Sequence, residues 1–228
     1  MMTDVPLENI IFLDIETVPA AAEYEELSER MKLLWEKKSV FFRQGGEEPG
    51  EVYQRAGIYA EFGRIVCISV GHLLREGEGW RCRTRSYAGD DEAQILADFS
   101  SMVTQFGRGR EIQLCAHNGK EFDFPYIARR MLINRLALPA ILDIAGKKPW
   151  EVRLLDTMEL WKFGDYKHYT SLDLLAEVFG IPTPKDDIDG SMVAAVYWKE
   201  HDLDRIAAYC EKDVITVAGL YLKMTGKD

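Results

Sequence analysis

Segments with the residue pattern of β-strands alternate along this chain with segments that carry the apolar period of helices. The strand patterns lie at 9–14, 64–73, 80–88, 111–119 and 152–157. The helical patterns lie at 20–38, 90–106, 122–134, 171–180, 191–200 and 203–222. Strands and helices that alternate in this way bury their apolar faces as one central sheet covered by helices. We therefore predict an α/β fold with a mixed sheet.

The length and composition of the chain agree with a single domain. Its 228 residues are enough to bury a full core, and 47% hydrophobic and 29% charged residues are ordinary values for a globular protein. We predict one domain over residues 1–228, with a helical insertion at 20–60 after the first strand. The apolar stripe of this insertion, which includes Met31 and Trp35, is expected to cover the sheet rather than to bind a partner.

Several function classes are disfavoured by what the sequence contains. No apolar run is long enough to span a bilayer, and the N-terminus lacks the basic and apolar order of a secretory signal. The four cysteines form no C-x-x-C pair, so we expect reduced thiols rather than a disulfide frame or a zinc site. We expect a cytoplasmic protein with no membrane partner, and the sequence identifies no protein partner.

The net charge of −10 bears on nucleic-acid binding. Proteins that hold extended duplexes usually present a basic surface, because they replace the counterions of the phosphates. A nucleic-acid substrate of this chain would therefore be held over a short stretch, with help from bound metal.

The stretch FLDIETVP at 12–19 places two carboxylates directly after an apolar run. On a strand, Asp14 and Glu16 share one face, with Cβ atoms about 7 Å apart. One interpretation is that the strand has reached solvent, where two carboxylates cost little. The other is that the pair holds a cation. The pair alone does not decide between them.

Two further carboxylates have apolar neighbours in the sequence, where a charged side chain is unfavourable unless it is paired or binds a metal. Asp123, in HNGKEFDFPY at 117–126, stands between two phenylalanines after a predicted strand, and its alternative role is to cap the helix that follows. Asp213 lies four residues after Tyr209 in YCEKD, on the apolar stripe of the last helix. Its alternative role is a packed Tyr–Asp pair.

Taken together, these positions predict a metal site. Four carboxylates from three separate segments cannot all stay ionised in one pocket without cations. Oxygen ligands without a Cys or His cluster suit magnesium or manganese rather than zinc. Two such ions held close together are a known device for hydrolysing phosphodiester bonds.

The three motifs, in this order, resemble those of the DEDD 3′–5′ exonucleases. They are most similar to the D-I-E, N-x-x-x-F-D-x-P-Y and Y-x-x-x-D signatures of the proofreading domains of family B DNA polymerases, and to the stand-alone predicted exonucleases related to them. The resemblance spans residues 10 to 217. It implies a ribonuclease H-like fold with a mixed five-stranded sheet. It also implies a metal-dependent 3′–5′ exonuclease that acts on single-stranded 3′ ends of DNA or RNA.

The resemblance also implies a role for each motif residue. Asp14 would bridge two divalent metal ions, magnesium or manganese. Glu16 and Asp213 would hold one ion, and Asp123 would hold the other, partly through water. Ala208 stands where the histidine variant has its histidine, and Tyr209 fills the position of the tyrosine variant, which makes this the DEDDy type. Tyr209 would orient the attacking water, because an ordinary phenol stays protonated.

Substrate contacts are implied for four more residues. The backbone amides of Thr17 and Val18 would hold the terminal sugar, as the residues after the glutamate do in the similar family. Asn118 would contact the penultimate nucleotide, and Phe122 would offer a stacking surface. Two other function classes stay open at this stage. One is a catalytically silent nucleic-acid-binding or regulatory module on the same fold, and the other is a nucleotide phosphohydrolase.

Other polar residues are weaker candidates for a functional role. Asp156 is expected to cap a helix rather than to act as a fifth ligand. His117 and His168 are expected to be structural, and the acidic segment 184–190 to be a solvated turn. Cations for the phosphate backbone could come from a wider set, most of which we expect on ordinary solvated faces: Arg81, Arg83, Arg85, Arg129, Arg130, Lys147 and Lys148.

Overall fold

The computed structural model of the protein describes residues 5–148, 151–165, 169–182 and 188–228. His168 and residues 184–187 of the acidic segment lie outside these residues, so the expectations for them stay predictions.

The strands form one mixed sheet in the order β3-β2-β1-β4-β5. They are β1 (Ile10–Pro19), β2 (Gly63–Glu76), β3 (Gly79–Ala88), β4 (Gln113–Ala116) and β5 (Leu154–Asp156). β2 is antiparallel to both β1 and β3, whereas β4 is parallel to β1 and β5 is parallel to β4. The predicted mixed five-stranded sheet is confirmed.

Helices cover both faces of this sheet. The helices of the described residues are α1 (Glu29–Ser39), α2 (Glu92–Phe106), α3 (Asp123–Ile133), α4 (Thr157–Lys162), α5 (Leu172–Phe179), α6 (Val193–Ala195) and α7 (Leu203–Thr225). The predicted helix at 191–200 is shorter than expected, because α6 continues as a π-helical turn at Val196–Glu200 and the left-handed His201 ends it. Within the described part of the chain, no helix is long and apolar enough to cross a membrane.

Strand β1 lies at the centre of the sheet and is buried on both faces, which explains its unbroken apolar run. Ile11, Leu13 and Ile15 pack with residues of α2 and α3 on one face. Phe12 packs with residues of α7 on the other. Because side chains alternate along a strand, Asp14 and Glu16 lie on the α7 face.

The first strand is longer than its sequence pattern predicts. It continues through both acidic residues to Pro19, because β2 pairs with it along this whole length, from Ile11 opposite His72 to Pro19 opposite Gly63. The register shifts between Glu16 and Thr17, which marks a bulge next to the acidic pair. The carboxylates therefore lie within a central strand, and the interpretation of a strand end in solvent is wrong.

The insertion has its own small core. The predicted helix at 20–38 begins only at Glu29, after a 3-10 turn at Tyr24–Glu26, because the Ser28 side chain accepts the Met31 N–H and caps the helix there. The apolar stripe packs around Trp35 in a separate cluster instead of covering the sheet. That prediction is wrong because the insertion supplies aromatic partners of its own, including Tyr53.

The part of the insertion that lies on the sheet is a 3-10 helix at Tyr53–Ile58. A Cβ atom on Gly57 would stand 3.2 Å from the backbone carbon of Val18 and 3.3 Å from Pro19. This approach is closer than most side chains tolerate. A glycine at position 57 therefore lets the helix lie directly against the end of β1.

Candidate active site

The structure brings the four predicted carboxylates together. Asp14 and Glu16 come from the centre of β1, Asp123 is the first residue of α3, and Asp213 lies in the middle of α7. Each of the first three feels the charge of Asp213, and Asp14 also feels Glu16 and Asp123. Glu16 and Asp123 are buried, with 7% and 3% of their surface exposed.

The surroundings of these groups disfavour their charged forms. Burial is the main reason that the pKa of Asp14 is well above its usual range, and repulsion from Glu16, Asp123 and Asp213 adds to it. The pKa of Glu16 is raised by burial and then by Asp213. Burial also raises the pKa of Asp123 to about 7, although hydrogen bonds from backbone N–H groups oppose the shift. The fold thus holds like charges together at a cost.

Asp123 is not the cap of α3. Phe122 occupies the cap position, without a capping hydrogen bond from its side chain. The Asp123 carboxylate instead accepts hydrogen bonds from its own N–H and from the N–H of Ile15 on β1. These bonds turn the carboxylate toward the acidic pair. The alternative role as a helix cap is therefore wrong.

Tyr209 and Asp213 are linked on one face of α7. The phenol forms a hydrogen bond with the Asp213 side chain, one helical turn away. Burial raises the pKa of Tyr209 above its ordinary value, and the charges of Asp213, Glu16 and Asp14 raise it further. The hydroxyl therefore stays protonated and acts as a hydrogen-bond donor at neutral pH.

A cysteine lies inside the site, and the sequence pattern did not indicate it. The Cys210 thiol donates to the backbone oxygen and to Oδ2 of Asp14, each at 3.4 Å. Ligand atoms of Asp14, Glu16 and Cys210 all lie within 4.8 Å of one another. Burial raises the pKa of Cys210 well above its usual value. The thiol therefore supports Asp14 as a donor, whereas a metal ligand would have to be a thiolate.

The residues present fit hard divalent cations. The charged groups that act most strongly on Asp14 are all carboxylates, so the site has excess negative charge in a buried place. Its deprotonated ligands would be oxygen atoms, which suit magnesium or manganese. Asp14, Glu16, Asp123 and Asp213 could hold such ions.

The four predicted substrate residues have different surroundings. Val18 has a fully buried side chain, so its backbone alone could face a ligand. The Thr17 hydroxyl forms a hydrogen bond with Tyr126. Asn118 has a left-handed backbone, with φ of 59°, and its buried Oδ1 has no hydrogen-bond partner among the residues the structure describes. Phe122 lines a cavity next to Glu16.

Two of the weaker candidates for a functional role, Asp156 and His117, have structural roles. Asp156 is buried and accepts the N–H groups of Met158 at the start of α4 and of Asn118 and Lys120 in the preceding loop. The predicted helix cap is confirmed. Both ring nitrogens of His117 are hydrogen-bonded, one to Thr157 and one to the backbone oxygen of Thr170. His117 therefore orders the loop, as predicted.

Three of the arginines considered for phosphate binding either form an ion pair or lie on the face of the sheet opposite the carboxylates. Arg130 forms a buried ion pair with Glu92 at 2.5 Å, so the possibility of a phosphate contact from this residue is wrong. On β3, Ser86 pairs with Ser69, which pairs with Asp14, so these residues share one face of the sheet. The neighbouring positions Arg83 and Arg85 therefore lie on the opposite face from the carboxylates.

Comparisons with known proteins agree with this geometry. Residues 58–227 match a family described as predicted 3′–5′ exonucleases related to the exonuclease domain of PolB. The matched part contains Asp123, Tyr209 and Asp213, whereas Asp14 and Glu16 precede it. No curated protein matches the chain.

Two solved structures resemble the protein. The family B DNA polymerase from the hyperthermophilic archaeon Pyrobaculum calidifontis has a TM-score of 0.60 and 17% identity, over 96% of this chain and 25% of the polymerase. The chain thus spans about a quarter of the polymerase. The RNase domain of the yeast Pop2 protein has a TM-score of 0.48 and 10% identity, over 96% of this chain and 77% of that domain.

The similarity to the polymerase confirms the predicted ribonuclease H-like fold. The family match covers most of the chain and includes two of its three motifs. The chain therefore belongs to the family of predicted 3′–5′ exonucleases related to the exonuclease domain of PolB.

Proposed function

We propose that this protein removes nucleotides from single-stranded 3′ ends of DNA or RNA by metal-dependent hydrolysis, as an exonuclease of the DEDDy type. One observation carries the proposal: Asp14, Glu16, Asp123 and Asp213 repel one another, and among the described residues the charged groups that act on Asp14 are these carboxylates. Repulsion between these carboxylates destabilises the folded protein, and bound cations would relieve it. Family membership supports the same chemistry.

The carboxylates would hold two divalent ions, magnesium or manganese. When bound, these ions neutralise the scissile phosphate, activate the attacking water and stabilise the leaving oxygen. Asp14 is the residue best placed to serve both ions, since it interacts with all three other carboxylates. The Cys210 thiol would keep the Asp14 carboxylate in position through its hydrogen bond to Oδ2.

Tyr209 would orient the attacking water. Its hydroxyl is protonated and already lies against Asp213, so it could place a water through a hydrogen bond. The raised pKa makes the phenol unsuitable as a base at neutral pH. Tyr209 would therefore contribute position rather than proton removal.

The direction of hydrolysis would follow from the residues around the carboxylates. The backbone of Thr17 and Val18, directly after Glu16, would hold the 3′-terminal sugar. Phe122 would stack on a base. The Asn118 Oδ1, which has no hydrogen-bond partner among the described residues, would accept a hydrogen bond from the penultimate nucleotide. A 3′-hydroxyl would fit beside the Thr17 backbone, whereas a 3′-phosphate would add bulk and repulsion next to Glu16.

The proposal can be tested with end-labelled single-stranded DNA and RNA oligonucleotides in magnesium or manganese, with an EDTA control. A 5′ label should give a ladder that shortens with time, because nucleotides leave from the 3′ end. A 3′-phosphate should slow the reaction. Early release of the 5′-terminal labelled mononucleotide would contradict the direction.

The same assay separates the alternative functions. A silent binding module would retain the oligonucleotide without shortening it. A nucleotide phosphohydrolase would hydrolyse free nucleoside triphosphates and leave the oligonucleotide intact. Either result would overturn the proposal.

A further inference from the structure

A cavity of about 430 Å³ lies between α2 and the strands β2 and β3. Its volume is within the range of about 300–1,000 Å³ that is common for small-ligand sites. Its lining combines apolar and cationic side chains, which include those of Val70, His72, Arg83, Arg85, Met102 and Phe106. The cavity shares no lining residue with the candidate active site.

Strand pairing places this cavity on the face of the sheet that α2 covers. His72 on β2 lies opposite Arg83 on β3. Two residues earlier on β2, Val70 lies opposite Arg85. On β1, the residue opposite His72 is Ile11, which packs with residues of α2. Because directly opposed residues point to the same face, these side chains lie together, with the sheet between them and the carboxylates.

The cations at this cavity lie close together without a counter-charge. Among the described residues, no carboxylate forms an ion pair with Arg83, Arg85 or Arg110. Burial lowers the pKa of His72, and the positive charges of Arg83 and Arg110 lower it further. The fold thus holds like charges together here, as it does around Asp14 but with the opposite sign. A bound anion would relieve this repulsion.

Aromatic rings order the cationic side chains without neutralising them. The His72 ring contacts the edge of the Phe106 ring, with centroids 5.7 Å apart. The Arg110 guanidinium lies 4.8 Å from the centre of the same ring. The Arg85 guanidinium lies at the same distance from the Tyr87 ring. Such contacts hold a guanidinium in place and leave its positive charge available to a ligand.

The lining selects a class of ligand. Guanidinium groups bind phosphate through paired N–H donors, and several cations together favour a doubly charged anion over a singly charged one. The apolar side chains of Met102 and Phe106 would be matched by an organic group, which an inorganic anion lacks. A phosphate monoester of an aromatic or apolar group offers both parts.

We propose that this cavity is a second ligand site, which binds a nucleoside monophosphate with its phosphate at Arg83 and Arg85 and its base against Met102 and Phe106. The choice of a nucleoside as the organic group rests on the proposed function, because nucleoside monophosphates would be the products of the exonuclease. The anion site itself rests on the cavity and its uncompensated cations. Arginines that cannot reach the candidate active site would thus bind phosphate on the other face of the sheet.

Binding should be measured by calorimetric titration in EDTA, because the metal-free carboxylates repel phosphate and the titration then reports on the cavity. The ligands are adenosine 5′-monophosphate, adenosine and inorganic phosphate. The wild type should bind the monophosphate at least about tenfold more tightly than either fragment. Equal affinity for adenosine would overturn the phosphate contact, and equal affinity for inorganic phosphate would overturn the nucleoside. Absence of binding at millimolar concentration would overturn the site.

Variants of the arginines locate the binding. Arg83→Gln and Arg85→Gln should each weaken the binding of adenosine 5′-monophosphate at least about tenfold. The matched control is Arg81→Gln, because Arg81 is exposed on the same strand, does not line the cavity and forms an ion pair with Glu76 at 3.6 Å. This control should change the affinity by less than about threefold. Equal losses at positions 81 and 83 would indicate non-specific attraction and overturn the inference.

The same phosphate chemistry could come from a nucleic-acid strand. Single-stranded oligonucleotides with and without a 5′-phosphate would separate this source from the free nucleotide. If an oligonucleotide without a terminal phosphate binds in EDTA more tightly than adenosine 5′-monophosphate and depends on Arg83, the cavity contacts a strand backbone and the proposed nucleotide site is overturned. Weaker binding of both oligonucleotides would support the nucleotide.

This inference and the proposed function can fail separately. Arg83→Gln should hydrolyse a saturating oligonucleotide at the wild-type rate, because Arg83 lies on the opposite face from the carboxylates. A protein that binds adenosine 5′-monophosphate in EDTA through Arg83 but hydrolyses no oligonucleotide would support the cavity and overturn the hydrolysis. A protein that hydrolyses oligonucleotides but binds no nucleotide in EDTA would support the hydrolysis and overturn the cavity.

Discussion

Glu92 and the cluster around Asp14 are both acidic and buried, and the structure compensates their charges in opposite ways. Glu92, at the start of α2, is 6% exposed and accepts hydrogen bonds from the guanidinium of Arg130, the amide of Asn134 and the backbone N–H of Ile65. Asp14 also lies among polar groups, but its strongest charged neighbours are other carboxylates.

The difference separates a structural carboxylate from a functional one. The partners of Glu92 come from α3 and β2 and complete its hydrogen bonding, so the group joins three elements and needs no ligand. Among the described residues, no cation compensates the cluster around Asp14 in this way, and we expect bound cations to do so. A buried carboxylate alone therefore predicts little, whereas the charge of its neighbours predicts its role.

The largest expected effect is the loss of activity on neutralising Asp14. Asp14→Asn should lower the rate of oligonucleotide hydrolysis at least about a thousandfold, or roughly 4 kcal/mol, because Asp14 would serve both ions. The same variant should be more stable than the wild type in EDTA, since repulsion within the cluster falls. The measurements are rates on labelled oligonucleotides and urea unfolding. Full activity of Asp14→Asn would mean that Asp14 is not a functional carboxylate and does not differ from Glu92 in this respect.

The opposite behaviour is expected at Glu92. Glu92→Gln should lower the free energy of unfolding by about 3 kcal/mol, because it leaves the buried guanidinium of Arg130 without its counter-charge. Urea unfolding should give this loss equally in EDTA and in manganese. The double variant Glu92→Leu/Arg130→Met should recover much of the lost stability.

A surface ion pair provides the control for this effect. Glu159 binds Lys120 at 2.5 Å, with side chains 50% and 28% exposed. Glu159→Gln should therefore change the free energy of unfolding by less than about 1 kcal/mol. A loss at position 159 as large as that at position 92 would mean that burial is not what distinguishes Glu92.

Manganese should stabilise the protein through the Asp14 cluster alone. At a hundredfold excess over Kd, the free energy of unfolding should rise by about 2.7 kcal/mol. Asp14→Asn and Asp213→Ala should reduce this gain, whereas Glu159→Gln should keep it. Unfolding curves that do not respond to millimolar manganese would count heavily against the metal site.

The pH dependence of stability in EDTA tests the repulsion between these carboxylates in the absence of metal. The folded pKa of Asp123 is about 7, above its ordinary value of 3.8, so the stability that this group contributes is complete below pH 3.8 and is lost as the pH rises through about 7. The raised pKa values of Asp14 and Glu16 act in the same direction. The metal-free wild type should thus lose stability between pH 4 and about 8, and Asp123→Asn should lose less.

The smallest expected loss of activity concerns Tyr209. Tyr209→Phe keeps the ring but removes one neutral hydrogen bond, so the rate should fall about ten- to a hundredfold, or roughly 1–3 kcal/mol. Stabilisation by manganese should stay unchanged, because no metal ligand is lost. The matched control is Tyr87→Phe, since the Tyr87 hydroxyl is buried and has no hydrogen-bond partner among the described residues. Full activity of Tyr209→Phe would make this tyrosine a packing residue.

The main features of the fold and the candidate site could be predicted from local pattern. The residue patterns of strands and helices predicted the sheet and its covering helices. Three motifs, which resemble those of the DEDD exonucleases, identified Asp14, Glu16, Asp123, Tyr209 and Asp213, and the structure brings these residues together. Strands and helices can be recognised in this way because their apolar residues recur with a period of a few residues.

Contacts between distant segments could not be predicted in this way. The end of β1 depends on pairing with β2 across the insertion, and the role of Arg130 depends on Glu92, 38 residues away. The place of Cys210 against Asp14 has no local signal, since a cysteine in a helix usually packs as a small apolar residue. The close approach of Gly57 to the end of β1 likewise joins segments that are distant in sequence.

The position of β1 has a consequence for how the protein folds. This strand is the first in the chain and the centre of the sheet, and Cys210 of α7 contacts Asp14 across 196 positions. Contacts this far apart in sequence form late, because a long loop must close before they stabilise the chain. Because α7 supplies Asp213, the four carboxylates cannot meet until this helix docks on the sheet. A chain in which α7 has not docked, or has begun to detach, would lack the proposed nuclease chemistry.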